Sequence, residues 1–182
     1  MNAKILPLIL ALFIIVPLVT PAESVEEAGR SEGRYVSFTK YLPDGNMERF
    51  SMFVPRSMSI SDVCADMVKD DVAITNFVNT TPLSLYFIMS AGGGFHFIFP
   101  PSIMGIPLWD INLSLFPSGI YCNYHGSNSE TDIIPLTSGN STTIYGDHKI
   151  LTLGFVGIVG WTGLFSMSDT GFAGFTLFVW TA

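Results

Sequence analysis

Three histidines, His96, His125 and His148, are the residues of this 182-residue chain best suited to hold a metal or move a proton near neutral pH. No two of them stand at the i, i+4 spacing that places ligands on one helix face, and no C-x-x-C pair accompanies them. The expectation is therefore no metal and no cofactor: His96 on one face of the alternating FHFIF, and His125 and His148 in or beside turns. Asp110 with Glu130 or Asp132 supplies carboxylates of the kind glycoside hydrolysis needs, but their spacing does not impose a pair. Serine is abundant, yet no G-x-S-x-G elbow presents one as a nucleophile. Gly92-Gly93-Gly94-Phe95 lacks the Lys-Ser/Thr and the helix of a phosphate loop. A secreted hydrolase is thus a secondary reading, and a non-catalytic protein the primary one.

Binding residues are easier to nominate than catalytic ones. Trp109, Tyr121, Tyr124 and Trp161 each combine a flat apolar ring with a polar edge, which suits stacking on sugars or residence at a lipid interface, with core packing as the competing use. The uncharged segment 150–167 spaces Gly154, Gly157, Gly160 and Gly163 three apart around Trp161. As a helix it would carry a smooth glycine ridge suited to membrane insertion. Four glycines would cost a water-exposed helix about 4 kcal/mol, so in water a strand pair with glycine bends is expected.

The compartment is written in the first 22 residues. Lys4, an apolar run from Ile5 to Val19, and small residues at Thr20 and Ala22 form a secretory signal cleaved after Ala22, too short to span a bilayer as a helix. Export permits a Cys64–Cys122 disulfide, worth about 3 to 4 kcal/mol, with two buried free thiols as the alternative. It also makes Asn79, Asn112 and Asn140 candidate glycosylation sites. Residues 23–71 carry 10 acidic and 6 basic side chains, whereas 72–182 carry five acids and one base, Lys149. An acidic chain with scattered cations offers no stripe for phosphates, which excludes nucleic acid. A charge-poor surface is easily desolvated against lipid, glycan or another subunit.

Residues 23–34 read as a disordered polar lead-in to one domain, 35–182. YVSFTKYL and MERFSMFV flank the turn Pro43-Asp44-Gly45-Asn46, a hairpin signal. Ile60, Val63, Cys64, Met67 and Val68 then recur with helical period, giving one short amphipathic helix over residues 59–70. This hairpin and helix locally resemble the opening of a β-grasp domain. From Val72 onward short alternating segments predict strands, beginning with VAITNFVN; PLSLYFIMS reads as buried on both faces, Gly92–Gly94 as a break, GSNSETD as a loop, and the last forty residues as a meander. The fold expected is mainly β, an antiparallel sandwich or barrel with one helix.

Three runs between Val72 and Ala182 carry a further likeness. VAITNFVNTTPLSLYF looks like a first core strand with an Ile-x-Asn turn, FPPSIMGIP is similar to a proline-bearing turn, and LFSMSDTGFAGFTLFVW looks like a closing hairpin. In their order they resemble the β-sandwich cytolysins of the actinoporin and aegerolysin type. The resemblance implies a secreted, lipid-binding sandwich with the capacity to form pores, and no site residue transfers from it. The function expected is a secreted protein that binds membrane lipid or glycan, with a self-associating structural or effector subunit as the alternative.

Overall fold

A hairpin opens the fold because its turn is chemically specified. β1 (Gly33–Tyr41) and β2 (Met47–Pro55) pair through nine consecutive registers, from Gly33 opposite Pro55 to Tyr41 opposite Met47. Between them the Asp44 carboxylate accepts from the Asn46 amide at 2.9 Å, and Gly45 takes a left-handed φ of 85°. The computed structural model describes residues 32–81, 84–99, 118–163 and 169–182. The signal sequence, Trp109, Asp110, Asn112 and residues 164–167 of the insertion candidate lie outside these. Gly33 and Arg34, expected in the lead-in, are the first residues of β1.

Helix α1 (Ile60–Asp70) starts where Ser59 caps the Ser61 amide, and its buried stripe contains Ile60, Val63, Cys64 and Val68, as the spacing predicts. A second helix, α2 (Val72–Thr80), stands where a strand was expected. The reason is local. The Asp71 carboxylate accepts from the Ala73 and Ile74 amides, each at 3.0 Å, and so nucleates a helix in a β-branched stretch that propensity assigns to a strand. Ile74 alone is buried on α2, so one anchor suffices once the cap is made.

The remaining elements are strands β3 (Tyr86–Phe99), β4 (Gly119–Pro135), β5 (Thr142–Tyr145), β6 (His148–Leu153), β7 (Val156–Trp161), β8 (Asp169–Thr176) and β9 (Phe178–Thr181). All pair antiparallel in one sheet, order β2-β1-β7-β8-β3-β4-β6-β9, with β5 also on β4. The sheet is open and not closed into a barrel. The expected mainly-β, sandwich-like class therefore holds, built from a single sheet folded over. Gly92–Gly94 do not break β3. They mark a bend, where the β3–β4 register jumps from Ala91–Glu130 to Gly93–His125; of residues 126–132, expected as a loop, 126–129 form an irregularity inside β4 and 130–132 pair with β3.

The closing meander is also corrected. β5 and β6 lie end to end along the seventeen-residue β4, which is long enough to take both as partners. Only β7 and β8 pair as consecutive neighbours there. Corners at Gly154-Phe155 and at Leu177 then carry the chain from one half of the sheet to the other, so that β9 returns to β6.

Folding the sheet creates two cores. Ile88, Ile120, Cys122, Tyr124, Ile150, Val159 and Phe172 meet inside the fold. Val36, Phe38, Ile158 and Ala173 meet α1 and α2 on the opposite face. Strands β7 and β8 are thus a middle layer, covered on both sides, which is why their sequence is apolar without alternation. Their glycines let α1 settle onto them: a Cβ on Gly160 would stand 2.6 Å from Ile60, and one on Gly171 2.6 Å from the backbone nitrogen of Ser61.

Candidate functional site

Among the residues described, an apolar surface lies on the outer face of the sheet half made by β3, β4, β6 and β9. Register defines it. Phe97 stands opposite Tyr121, Tyr121 opposite Leu151, and Leu151 opposite Trp180, one row across four strands. A second row runs Gly119, Leu153, Phe178, and a third Phe95, Asn123, Lys149. Residues directly opposite in antiparallel strands share a face, so these side chains point away from the inner core that takes their neighbours Ile120, Cys122 and Ile150.

The exposures make the point: Phe95 48%, Phe97 45%, Phe178 48% and Trp180 45%, with Tyr121, Leu151 and Leu153 half-buried. Strand spacing makes the patch about 14 Å wide and about 13 Å long. Phe95 and Tyr121 pack ring against ring at 6.4 Å, which stiffens its middle. Lys149 is the one charged side chain in these three rows, and Asn123 the one amide.

Of the nominated aromatic residues that are described, Tyr121, Tyr124 and Trp161, Tyr121 alone lies on this face. Tyr124, 1% exposed, is a core residue, placed inward by the strand alternation that turns Tyr121 outward. Trp161 is half-buried against the inner core, its ring 6.2 Å from His96. Gly154, Gly157 and Gly160 are buried and Gly163 is exposed. The described part of the glycine segment is strands, as expected in water, where Gly157 packs against β8 and Gly160 against α1. Among the described residues no helix is long and apolar enough to cross a membrane.

The expected Cys64–Cys122 bridge is likewise absent. Both are free, buried thiols. Cys64 belongs to the helix-side core and Cys122 to the inner core, on opposite faces of β7 and β8. The Cys64 thiol points to the Gly171 carbonyl at 3.8 Å. Burial pushes the Cys64 thiol up and that of Cys122 up to about 12. Asn79 and Asn140, two of the three glycosylation candidates, are exposed.

The histidines are dispersed, and among the described residues no three His, Cys, Asp or Glu side chains cluster as a metal site would need. His148 instead ends a buried polar chain. Its Nδ1 lies 2.7 Å from the Gly146 carbonyl, which can only accept, so Nδ1 donates there, and its Nε2 lies 2.7 Å from the Thr131 hydroxyl. Thr131 meets Ser90 at 2.7 Å, and Ser90 meets the Tyr124 hydroxyl at 3.0 Å. Burial raises the Tyr124 pKa well above its ordinary value, so the phenol stays neutral. His96 Nδ1 lies 2.9 Å from Thr170 Oγ1, and burial lowers its pKa. Asp132 accepts from the Thr143 hydroxyl at 2.6 Å. These contacts join strands and converge on no common reacting point.

Phe95, Phe97, Phe178 and Trp180 were not nominated from sequence. FHFIF and FVW carry large apolar residues on both faces, so alternation alone does not say which set is turned out. No signal in FHFIF would have found them, since a histidine alternating with phenylalanines favours turning the phenylalanines inward. No protein-family model, no curated protein and no solved structure matches this chain.

Proposed function

We propose that the chain is a non-catalytic protein that docks on a lipid surface through the aromatic face of β3, β4, β6 and β9. The carrying observation is the four-strand row Phe97, Tyr121, Leu151, Trp180 with Phe95 and Phe178 beside it, its phenylalanines and Trp180 exposed and Tyr121 and Leu151 half-buried where an ordinary surface would be polar. A sugar-binding face would pair its rings with several amides or carboxylates to read hydroxyl groups; these three rows hold Asn123 alone. Aromatic side chains at the boundary between headgroups and acyl chains bury their rings and keep their polar edges wet. Export by the amino-terminal signal brings such a face to a membrane from outside the cell, in keeping with the cytolysin-like order of segments.

Attachment rests on apolar burial and not on charge, because the chain carries a formal net charge of −7 and anionic headgroups repel it. The test is co-sedimentation with zwitterionic phosphatidylcholine vesicles. The protein pellets with them, and raising the salt from low to high changes the bound fraction little. Replacing Phe178→Ser and Trp180→Ser together weakens partitioning at least about tenfold, a loss of about 1.4 kcal/mol or more. Wild-type protein that stays in the supernatant at high lipid, or a double variant that pellets as wild type does, overturns the reading.

A further inference from the structure

The free edge of the sheet carries a second interaction surface. Among the described residues β2 pairs only with β1, and its other side is open along nine residues. Natural edge strands are kept short or guarded by a bulge, an inner lysine or a proline. β2 is nine residues long, carries charge only at Glu48 and Arg49, has no proline before Pro55, and keeps an unbroken register with β1. It is apolar on both faces: Phe50, Met52 and Val54 on the side of the helices, Met47 and Phe53 on the other, all but Val54 exposed. Next to it Val54, Met58, Val63 and Met67 line a groove of about 210 Å³ between β2 and α1.

We infer that this edge is closed by a second copy of the chain, through antiparallel β2–β2 pairing about a two-fold axis normal to the sheet. Such an axis must pass through one residue, because residues directly opposite share a face. Centring it on Glu48 or Arg49 sets like charges against each other. Centring it on Ser51, the midpoint of Met47–Pro55, overlaps all nine residues and avoids this. Phe50 then faces Met52 of the other copy, and Arg49 faces Phe53, a cation over an aromatic ring, each twice by symmetry. Glu48 stays neutralised by Lys40 of its own chain, 2.6 Å away. Ser51, the smallest side chain of β2, meets its own copy at the axis without crowding.

Mass and cross-linking test it together. At roughly 50 µM, a concentration above the dissociation constant of most specific interfaces, the protein sediments as two chains. Met52→Lys places two ammonium groups in the interface and gives one chain, with an unchanged circular dichroism spectrum. Ser51→Cys introduces the one accessible thiol, since Cys64 and Cys122 are buried. On mild oxidation it yields a covalent dimer, whereas Val72→Cys, exposed at the start of α2, does not. A wild-type mass of one chain overturns the inference. So does a dimer in which Ser51→Cys cross-links no better than Val72→Cys. Vesicle binding by Met52→Lys reports on the aromatic face separately, because that face lies on other strands.

Discussion

Thr131 shows what a single side chain decides in this protein. It is fully buried, and its hydroxyl lies 2.7 Å from both Nε2 of His148 and the Ser90 hydroxyl. Buried polar groups are tolerated when every member of a network is satisfied and are costly when one is orphaned. Thr131→Val keeps the shape and removes the hydroxyl, leaving His148 and Ser90 without that partner. The expected loss is about 2 to 3 kcal/mol in chemical denaturation, more than a buried methyl-for-hydroxyl exchange costs where no second group is stranded. An unchanged midpoint would mean that the chain of hydroxyls is not a structural tie between β3, β4 and β6.

Among the elements, α2 is the instructive one, since the pattern Val72, Ile74, Phe77, Val78 was read as a strand. Asp71 settles it by capping the helix and by its ion pair with Lys40 at 2.9 Å. Burial pushes the Asp71 carboxyl up, but Lys40 and the Ile74 and Ala73 amides outweigh it and hold its pKa below the usual value. A carboxyl depressed in the folded state contributes stability that is present above its unfolded pKa, about 3.9, and is lost as pH falls through the folded value. Asp71→Ala therefore costs about 1 to 2 kcal/mol at neutral pH, and the gap to wild type narrows below about pH 4. Asp71→Asn, which keeps the cap and loses the ion pair, falls between the two. Unfolding curves across pH check both the order and the narrowing; a gap that stays constant into acid would contradict the assignment.

For the molecule as a whole, the folded sheet places its two thiols in separate cores, so redox conditions leave its stability alone. Thermal unfolding with and without reductant should give the same midpoint, where a bridge closing residues 64–122 would be worth about 3 to 4 kcal/mol and would shift it by several degrees. The same folding explains the shortage of charge after Val72, which the sequence leaves open between a binding surface and an interior. Strands β7 and β8 use it as the middle layer, whereas β3, β4, β6 and β9 turn apolar residues outward.

Residue order alone determined what depends on neighbours a few positions apart. The β1–β2 turn follows from Asp44-Gly45-Asn46, α1 from its 3.6-residue stripe, and the mainly-β class from short apolar segments cut by glycine and proline. Long-range pairing decided the rest: which of two apolar strand faces is outside, why Gly160 and Gly171 must be glycine beneath α1, and that Cys64 and Cys122 never meet. A strand's period of two names two faces without saying which is wet, and only the partner strands and the helix laid across them make that choice.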